Sequence, residues 1–311
     1  MKNILIIGGT GFLGKNIVEA MVNDGSRIFL ITRNKNFDVF KDFPTIKIIH
    51  GALEDINIIK NLIIEHKIQE IVHLASNLIP ASDKSEFEHE MLNIVLPTFE
   101  LLNFISNKNV KIIFFSSGGA IYGKGMKNKT IESCILEPHT FYGYSKLIIE
   151  NHIRYLSNIT QLRYVILRPS NVYGKYQSLN SNQGFIAVAL GKILSNQPVN
   201  IWGDGNTLRD YICVTDVAQV VCNILRENIE NEIFNIGSGV SSSLLEILDI
   251  LGKNTKLTVS VNFKQKRKID LEKVSLDINK LKSHVKFTPI TLHEGIHDFI
   301  LFHEKTKKHD K

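Results

Sequence analysis

A tyrosine and a lysine four residues apart, Tyr142 and Lys146 in the stretch FYGYSK, carry the clearest chemical signal in this 311-residue sequence. At the start of a helix, residues with this spacing lie on one face, so the phenol and the ammonium are predicted to be neighbours. A free phenol has a pKa near 10 and is a weak acid at neutral pH. We expect the lysine charge to lower that pKa, which would let Tyr142 exchange a proton with a carbonyl oxygen.

A glycine-rich loop near the N-terminus, IIGGTGFLG, follows a short apolar run and precedes a helical pattern. Gly8, Gly11 and Gly14 at this place are typical of a dinucleotide-binding loop, because they permit a tight turn and close approach of a pyrophosphate to the helix N-terminus. Phe12 and Leu13, inside the same loop, are predicted to border the cofactor. A nicotinamide dinucleotide supplies the hydride that complements proton exchange by Tyr142.

The end of the second predicted strand, LITRN, bears on which dinucleotide binds. NAD sites usually have a carboxylate there for the ribose 2′-hydroxyl, but this strand ends in Thr32 and Arg33, and the next carboxylate is Asp38. A guanidinium at this place can pair with a 2′-phosphate. The sequence therefore favours NADP with Arg33 as a ligand. NAD remains the alternative, with Arg33 as a solvated residue at the strand end.

The elements that must position these residues alternate between short apolar runs and longer helical patterns. Six strands of the first half are predicted at Ile4–Ile7, Ile28–Ile31, Ile46–His50, Ile71–Leu74, Ile112–Ser116 and Tyr164–Arg168, and a further strand is predicted near Leu257–Phe263. Five helices are predicted at Gly11–Asn23, Ile56–His66, His89–Asn107, Tyr142–Ser157 and Phe185–Leu194. Such alternation is typical of a parallel sheet covered on both faces. We predict an α/β fold, a doubly wound parallel (Rossmann) sheet of residues 1–172 with about 208–238 returning to it, and a smaller substrate-binding lobe of 173–207 and 239–311.

Composition limits the classes of function. Hydrophobic residues make up 43% of the chain and charged residues 22%, as in soluble globular proteins, and no apolar run approaches the roughly 18 residues of a membrane span. Three scattered cysteines favour a reducing, cytoplasmic setting. The net charge of +6 comes partly from KQKRK and the C-terminal KTKKHDK, which lack the interleaved aromatics of nucleic-acid sites. We predict no membrane or nucleic-acid partner, and an anionic small molecule as the ligand.

One motif near the C-terminus, HEGIH from His293 to His297, matches the H-E-x-x-H pattern of zinc sites. Gly295 weakens the helix that this pattern requires. The pattern fixes no third ligand, although His303 and Glu304 are candidates, and Thr291 is suited to capping an ordinary terminal helix. We therefore predict no metal site.

Seven motifs occur in a familiar order: GGTGFLG, HLAS, SSGGAIYG, YGYSK, LRPSNVYG, IWGDGNTLRDYICVTDVA and FNIGSG. Through them the chain resembles, nearly end to end, the extended short-chain dehydrogenase/reductase family of NAD(P)-dependent nucleotide-sugar epimerases, dehydratases and reductases. The resemblance implies that Tyr142 and Lys146 are the catalytic pair. It also implies that Leu74, Ala75 and Ser76, after the fourth strand, border the cofactor.

Two positions depart from the family pattern. The usual catalytic Ser or Thr falls on Gly118, so the neighbouring Ser117 is the predicted substitute, with Ser76 as a second candidate for orienting the substrate. Of the family's usual carboxylates near the adenine, one position is Ala52, which leaves Asp55 as the cofactor-binding residue.

The resemblance implies a nucleoside-diphosphate sugar as the substrate. Asn171 matches a residue that hydrogen-bonds a substrate phosphate, and Arg209 and Arg267 match two arginines that contact the diphosphate. A surface salt bridge is the alternative for each arginine. The helices predicted at His89–Asn107 and Tyr142–Ser157 resemble those that pair across a family dimer, so a homodimer is expected.

The leading functional prediction is reduction of a nucleoside-diphosphate 4-keto-6-deoxyhexose by NADPH, with Tyr142 as the proton donor, in polysaccharide precursor synthesis. The alternative is a UDP-hexose 4-epimerase with tightly bound NAD. A 4,6-dehydratase would need an Asp-Glu pair where Gly119 and Ala120 stand. A non-catalytic NADP-binding regulator is disfavoured by the intact Tyr142–Lys146 pair.

Overall fold

A computed structural model describes residues 2–33, 40, 43, 45–123, 129–181, 183–266 and 273–309. Asp38 and Arg267, named above, lie outside these residues. The chain divides into two compact units. Unit 1 comprises Met1–Gly123, Ile135–Arg168 and Ala218–Phe234, and unit 2 comprises Lys124–Cys134, Pro169–Val217 and Asn235–Lys311. The returning segment Ala218–Phe234 is shorter than the predicted 208–238, and Lys124–Cys134, placed by the prediction in the first domain, belongs to unit 2.

The strands follow in chain order: β1 (Asn3–Ile7), β2 (Arg27–Thr32), β3 (Ile46–His50), β4 (Glu70–His73), β5 (Lys111–Phe115), β6 (Arg163–Pro169), β7 (Asn171–Tyr173), β8 (Val199–Trp202), β9 (Leu208–Cys213), β10 (Glu232–Ile236), β11 (Ser241–Ser243), β12 (Val261–Lys264) and β13 (Lys273–Val274). The helices are α1 (Phe12–Asn23), α2 (Ile56–Glu65), α3 (Lys84–Glu90), α4 (Leu96–Ile105), α5 (Phe141–Ile159), α6 (Phe185–Leu194), α7 (Val214–Arg226), α8 (Leu244–Thr255), α9 (Asn279–His284) and α10 (Leu292–His309). Among the described residues, no helix is both long and apolar enough to cross a membrane.

A seven-stranded sheet in the order β10-β6-β5-β4-β1-β2-β3 forms the centre of unit 1. The pairings from β3 through β6 are parallel. This is the strand order of a doubly wound dinucleotide-binding sheet, in which the order reverses between β1 and β4. The predicted fold class is confirmed, and the six strands predicted in the first half each lie within one residue of the observed bounds, whereas the strand predicted near Leu257–Phe263 begins only at Val261.

The central strands β4 and β5 are buried along their whole length. The apolar residues at their centres, Ile71 and Val72 in β4 and Ile112–Phe115 in β5, suit this position because helices cover both faces of a parallel sheet. Ligands bind such sheets at the carboxyl ends of the strands, beside the point where the strand order reverses. This edge carries the residues that follow β1, β4 and β5.

The helix predicted at His89–Asn107 is wrong in its continuity. α3 begins earlier, at Lys84, and a π-helical turn, Met91–Val95, separates it from α4. Pro97 stands in the first turn of α4 and has no N–H to donate, so the regular hydrogen-bond pattern cannot pass through it. The Leu96 N–H donates instead to the carbonyl of Met91, five residues back. This turn therefore contains one residue more than a turn of α-helix.

Unit 2 is organised around β9. This strand pairs in antiparallel fashion with β11 and in parallel fashion with β7 and β13. The strands β8 and β12 form a separate parallel pair. Apolar side chains of α6, α8 and α10 form a hydrophobic core with β8 and β9.

Candidate active site

The glycine loop connects β1 to α1 at the sheet edge described above. A side chain at Gly8, whose φ is +86°, would bring its Cβ to 2.9 Å from the Ala75 nitrogen, and a side chain at Gly14 would collide with the backbone of Gly9. Gly11 differs, because it is exposed, has a negative φ of −73°, and a Cβ added to it would lie 3.5 Å from the nearest atom, the Gly8 carbonyl oxygen. Gly8 and Gly14 are thus required by the fold of the loop itself, while Gly11 leaves space in front of it.

The N-terminus of α1 suits a dinucleotide pyrophosphate. Gly11 is the residue that caps this helix, and it supplies no side-chain hydrogen bond to the first turn. The first-turn N–H groups therefore receive no side-chain acceptor from the capping residue. Uncapped N–H groups at a helix N-terminus bind phosphate well, so the loop fits the predicted cofactor. Phe12 and Leu13 lie half-buried in that first turn.

The segment after β4 lies directly beside the glycine loop. The Leu74 N–H donates to the Ile7 carbonyl at 2.9 Å, and Ala75 is the residue that a side chain at Gly8 would strike. The structure thus brings together Leu74, Ala75 and the glycine loop, which the sequence named separately. Their contact with a cofactor remains a prediction.

The N-terminus of α5 positions Tyr142 and Lys146. Thr140 caps the helix by accepting a hydrogen bond from the Gly143 N–H at 3.1 Å. Gly143 is needed because a Cβ there would collide with the carbonyl oxygen of Ala120. The start of α5 therefore packs directly against the 116–120 segment after β5. Sequence analysis missed this glycine, although its place between Tyr142 and Lys146 was visible.

Lys146 is almost fully buried, with 3% of its surface exposed. Its ammonium lies over the rings of Phe114 and Tyr142, with Nζ 5.2 and 5.8 Å from the two ring centroids. Burial lowers the pKa of Lys146 to about 8, while the carboxylates of Glu90 and Glu150 act in the opposite direction. The lysine can therefore gain or lose its proton close to neutral pH.

The expectation that the pKa of Tyr142 is lowered is wrong for the protein without bound cofactor or substrate. Burial raises the pKa of the phenol, a hydrogen bond with Ser117 opposes that rise, and the Glu90 carboxylate adds to it. Tyr142 is therefore held protonated, as a proton donor must be. The hydrogen bond also distinguishes the two hydroxyls proposed to replace the family Ser or Thr, because Ser117 contacts Tyr142 whereas the Ser76 hydroxyl donates to Glu90 at 2.8 Å.

Two buried polar atoms near the pair lack a partner among the described residues, His73 Nδ1 at the end of β4 and Ser116 Oγ just after β5. The other imidazole nitrogen, Nε2, lies 2.9 Å from the Thr98 hydroxyl. Burial and the charge of Lys146 lower the pKa of His73 to about 3. The imidazole is therefore neutral and adds no second positive charge to the site.

Glu90 is a functional candidate that sequence analysis missed. It is buried, and its carboxylate accepts hydrogen bonds from the Ser76 hydroxyl and the Asn77 N–H. In the sequence it stands among the charged residues of KSEFEHE, where nothing distinguishes it from an exposed neighbour. Its burial follows from the packing of α3 on α5.

Arg33 and Asp55 lie beyond the carboxyl ends of β2 and β3. The Arg33 guanidinium is 3.4 Å from the Asn77 side-chain oxygen and 3.8 Å from the Glu54 carboxylate, with 60% of the side chain exposed. Asp55 accepts a hydrogen bond from the Ala52 N–H at 2.9 Å and precedes α2. Roles in cofactor binding stay predictions for both Arg33 and Asp55.

Asn171 and Arg209 belong to unit 2. The Asn171 side-chain amide donates to the Asp210 carbonyl at 2.9 Å, and the Arg209 guanidinium donates to the Leu208 carbonyl at the same distance. The Asp210 carboxylate, which sequence analysis did not single out, accepts hydrogen bonds from Ser238 and Gly239. Buried Asp210 thus ties β9 to the loop after β10, and it holds the strand that carries Arg209.

The HEGIH motif serves the terminal helix. Thr291 accepts a hydrogen bond from the Glu294 N–H, and the Glu294 carboxylate accepts one from the Thr291 N–H. This reciprocal capping box begins α10 as predicted. Gly295 packs against the Tyr173 ring, where a side chain would collide, and His297 Nδ1 lies 3.1 Å from the Asn254 side-chain oxygen.

Comparison with known proteins agrees with this geometry. A sequence model of the NAD dependent epimerase/dehydratase family matches residues 4–237. A putative UDP-glucose 4-epimerase of Methanocaldococcus jannaschii is 30% identical over 94% of this chain and 95% of its own length. A dTDP-4-dehydro-6-deoxyglucose reductase of Escherichia coli is also 30% identical, over 96% of each chain.

Solved structures match over nearly the whole length. A UDP-glucose 4-epimerase from Thermotoga maritima, solved with UDP-glucose, superimposes with a TM-score of 0.91 at 29% identity, covering 98% of this chain and 99% of that one. A UDP-glucose 4-epimerase from Thermus thermophilus, solved with NAD, gives a TM-score of 0.86 at 26% identity, covering 97% and 99%.

Proposed function

The chain belongs to the NAD dependent epimerase/dehydratase family, and within that family we propose that it reduces the C4 carbonyl of a nucleoside-diphosphate 4-keto-6-deoxyhexose. The observation that carries the proposal is the geometry of the Tyr142–Lys146 pair, in which the phenol is hydrogen-bonded to Ser117 and the buried lysine ammonium lies 5.8 Å from the centre of the phenol ring. A reductase needs a proton donor at this position. The Escherichia coli relative carries the name of an enzyme that acts on a substrate of this class.

Reduction of a carbonyl to an alcohol takes up a proton and a hydride, and NAD(P)H supplies the hydride when bound. Tyr142 donates the proton to the C4 oxygen. Ser117, hydrogen-bonded to the same phenol, orients that donor and polarises the carbonyl. Lys146 in its cationic form stabilises the phenolate that is left, and exchange with solvent near pH 8 restores the proton.

We assign the cofactor to Gly8, Gly11, Phe12, Leu13 and Gly14, with Leu74, Ala75, Ser76 and Asp55 around it. NADPH is the proposed reductant because Arg33 offers a largely exposed guanidinium at the end of β2, with Glu54 no closer than 3.8 Å. A 2′-phosphate would form a shorter, charge-assisted pair with it. If NADH is the reductant, replacement of Arg33 will not affect its KM.

Unit 2 supplies the proposed ligands for the nucleotide part of the substrate. Asn171 and Arg209 lie on the paired strands β7 and β9, and the buried Asp210 between them holds this arrangement. Arg267, outside the described residues, is the third proposed ligand. Replacement of Arg209 by methionine should raise KM for the nucleotide sugar more than it lowers kcat.

A UDP-hexose 4-epimerase is the second candidate. The Thermotoga maritima enzyme, which carries that name and holds UDP-glucose, is similar over nearly the entire chain. Such an enzyme would use the same Tyr142 to remove and return a proton at O4. It would retain NAD through purification and consume none.

The deciding experiment mixes the purified protein with dTDP-4-keto-6-deoxyglucose and follows the oxidation of NADPH and NADH by the loss of nicotinamide absorbance. Stoichiometric NADPH oxidation that is abolished in Tyr142→Phe supports the reductase. An increase in KM for NADPH but not NADH in Arg33→Ser supports the assignment of Arg33. Absence of oxidation, with NAD released on denaturation and interconversion of UDP-hexoses, would replace the proposal with the epimerase.

We also propose a homodimer formed through α4 and α5. Phe99 and His152 stack across these helices with ring centroids 3.8 Å apart, and next to them the helices expose Leu96, Tyr155 and Ile159. Charges at the face, as in Leu96→Glu with Tyr155→Glu, should give monomers by light scattering. Ile64→Glu, at an exposed position of α2, is the matched control. A wild-type protein that is already monomeric at micromolar concentration would contradict the dimer.

A further inference from the structure

Glu90 is a buried carboxylate for which the proposed reaction has given no role. It is the last residue of α3 and only 1% exposed, whereas the residues before it in that helix are exposed or half-buried. Removing a carboxylate from water costs several kcal/mol unless hydrogen bonds and opposite charge compensate. The contacts of Glu90 therefore indicate what retains it there.

Both carboxylate oxygens are hydrogen-bonded to the segment after β4. Oε1 accepts from the Ser76 hydroxyl at 2.8 Å, and Oε2 accepts from the Asn77 N–H at 2.9 Å. This segment continues from Ala75, which lies against Gly8. Glu90 thus fixes the loop that borders the glycine loop.

The charge of Glu90 acts on α5, against which α3 packs. Among the titratable groups of α5, the carboxylate of Glu90 raises the pKa of both Tyr142 and Lys146, while Glu150 forms an ion pair with Arg168. On the side of the sheet, His73 at the end of β4 is neutral. Lys146 is therefore the cation of α5 on which the charge of Glu90 acts, and Glu90 is the larger of the two carboxylate influences on the pKa of that lysine.

We propose that Glu90 is a positioning residue of the catalytic pair, a single carboxylate that fixes the loop after β4 and keeps Lys146 in its cationic form. The inference rests on the proposed roles of Tyr142 and Lys146. Its two parts are separable by substitution. Glutamine has the length of glutamate and keeps an accepting oxygen, but it lacks the charge.

The first test is the pH dependence of kcat/KM for Glu90→Gln. Loss of the carboxylate lowers the pKa of Lys146 below its present value of about 8, so the alkaline limb of the profile should move down by about one pH unit. Glu90→Asp, with the charge one methylene farther away, should lie between Glu90→Gln and the wild type. Glu88→Gln, an exposed residue of the same helix that pairs with Lys84, is the matched control and should leave the profile unchanged.

The second test does not depend on activity. In the cofactor-free protein with ¹³C-labelled lysine, the Lys146 side-chain resonance is assigned from its loss in Lys146→Met, and its titration midpoint is measured in each variant. A lower midpoint in Glu90→Gln supports the proposal, and a midpoint equal to that of the wild type overturns it. If Glu90→Gln does not fold, Glu90→Met replaces it, because it also lacks the charge, and an unchanged midpoint there overturns the proposal equally.

The two proposals fail in different ways. Activity that survives Tyr142→Phe would contradict the proposed function, while the lysine titration would still report on Glu90. An inactive Tyr142→Phe together with an unshifted profile and midpoint in Glu90→Gln would contradict the role of Glu90 alone.

Discussion

Lys146 and Glu150 lie one turn apart on α5, and both are buried, yet the structure compensates their charges in different ways. Glu150 accepts two hydrogen bonds from Arg168, at 2.6 and 3.0 Å, and the same guanidinium donates to the Tyr122 hydroxyl at 2.8 Å. Lys146 has instead the faces of two aromatic rings and carboxylates that act on it through space.

The two arrangements have opposite consequences for protonation. Burial works against the charged form of Arg168, but the hydrogen bonds and charge of Glu150 outweigh it and raise the pKa of the guanidinium. For Lys146, burial prevails and the pKa falls to about 8. A fully paired buried ion stays charged and serves the fold, whereas a partly compensated one titrates near neutral pH, as groups at functional sites often do. One helix therefore carries a reactive turn followed by a structural one.

Substitutions in the reactive turn should break activity and spare the fold. Tyr142→Phe removes the proton donor, so kcat should fall by about 10²- to 10⁴-fold. Thermal unfolding followed by circular dichroism should give a Tm within the error of the wild type. A large loss of Tm would mean that this turn is also structural, which would contradict the comparison.

Substitution in the structural turn should do the reverse. Arg168→Met leaves Glu150 buried without its partner, at a cost of about 3–5 kcal/mol in the free energy of unfolding. Urea denaturation measures this loss. Arg168→Met combined with Glu150→Leu should recover most of it, because no unpaired charge remains. A double variant no more stable than Arg168→Met would show that the ion pair is not the cause.

Asp216 extends the comparison to unit 2 as a buried carboxylate without a cationic partner in the described part of the chain. Burial raises its pKa to about 6, against a hydrogen bond from the Ile290 N–H. Since the folded-state pKa lies above the unfolded value of 3.8, the stabilisation from protonation is complete below pH 3.8 and is lost as the pH rises through 6. Relative to Asp216→Asn, the wild type should lose up to about 3 kcal/mol between pH 4 and 7.

Unfolding of both proteins at several pH values between 4 and 8 measures this difference. At acid pH, residue 216 is uncharged in both Asp216→Asn and the wild type. The diagnostic quantity is therefore the change with pH in the difference between their free energies of unfolding. Parallel stability curves for Asp216→Asn and the wild type would rule out titration of Asp216 as the source.

The glycine loop sharpens the same contrast between structure and function on a smaller scale. Gly14→Ala should lower Tm because its Cβ meets the Gly9 backbone. Gly11→Ala should leave Tm unchanged, since its Cβ makes only an ordinary contact with the Gly8 carbonyl, and should weaken cofactor binding by about tenfold, or about 1.4 kcal/mol. Calorimetric titration with NADPH and NAD measures the affinity. Equal affinity in Gly11→Ala and the wild type would contradict the assignment of the loop.

The sequence by itself determined the elements whose signals are local. The alternation of apolar strands and helices predicted the sheet, and the spacing of Gly8, Gly11 and Gly14 predicted the loop after β1. The four-residue separation of Tyr142 and Lys146 predicted a shared helix face. Each of these follows from the geometry of a few consecutive residues, which the order of residue types expresses directly.

Only the tertiary structure decided how the site is charged. The pKa of Tyr142 is raised where the Tyr-Lys spacing predicted a decrease, because burial and the charge of Glu90 outweigh the hydrogen bond with Ser117. The partners involved are far apart in the chain, with a separation of 14 positions for Ser76 and Glu90 and of 46 for Tyr122 and Arg168. Desolvation and long-range pairing depend on which segments the fold brings together, and no local pattern contains that information.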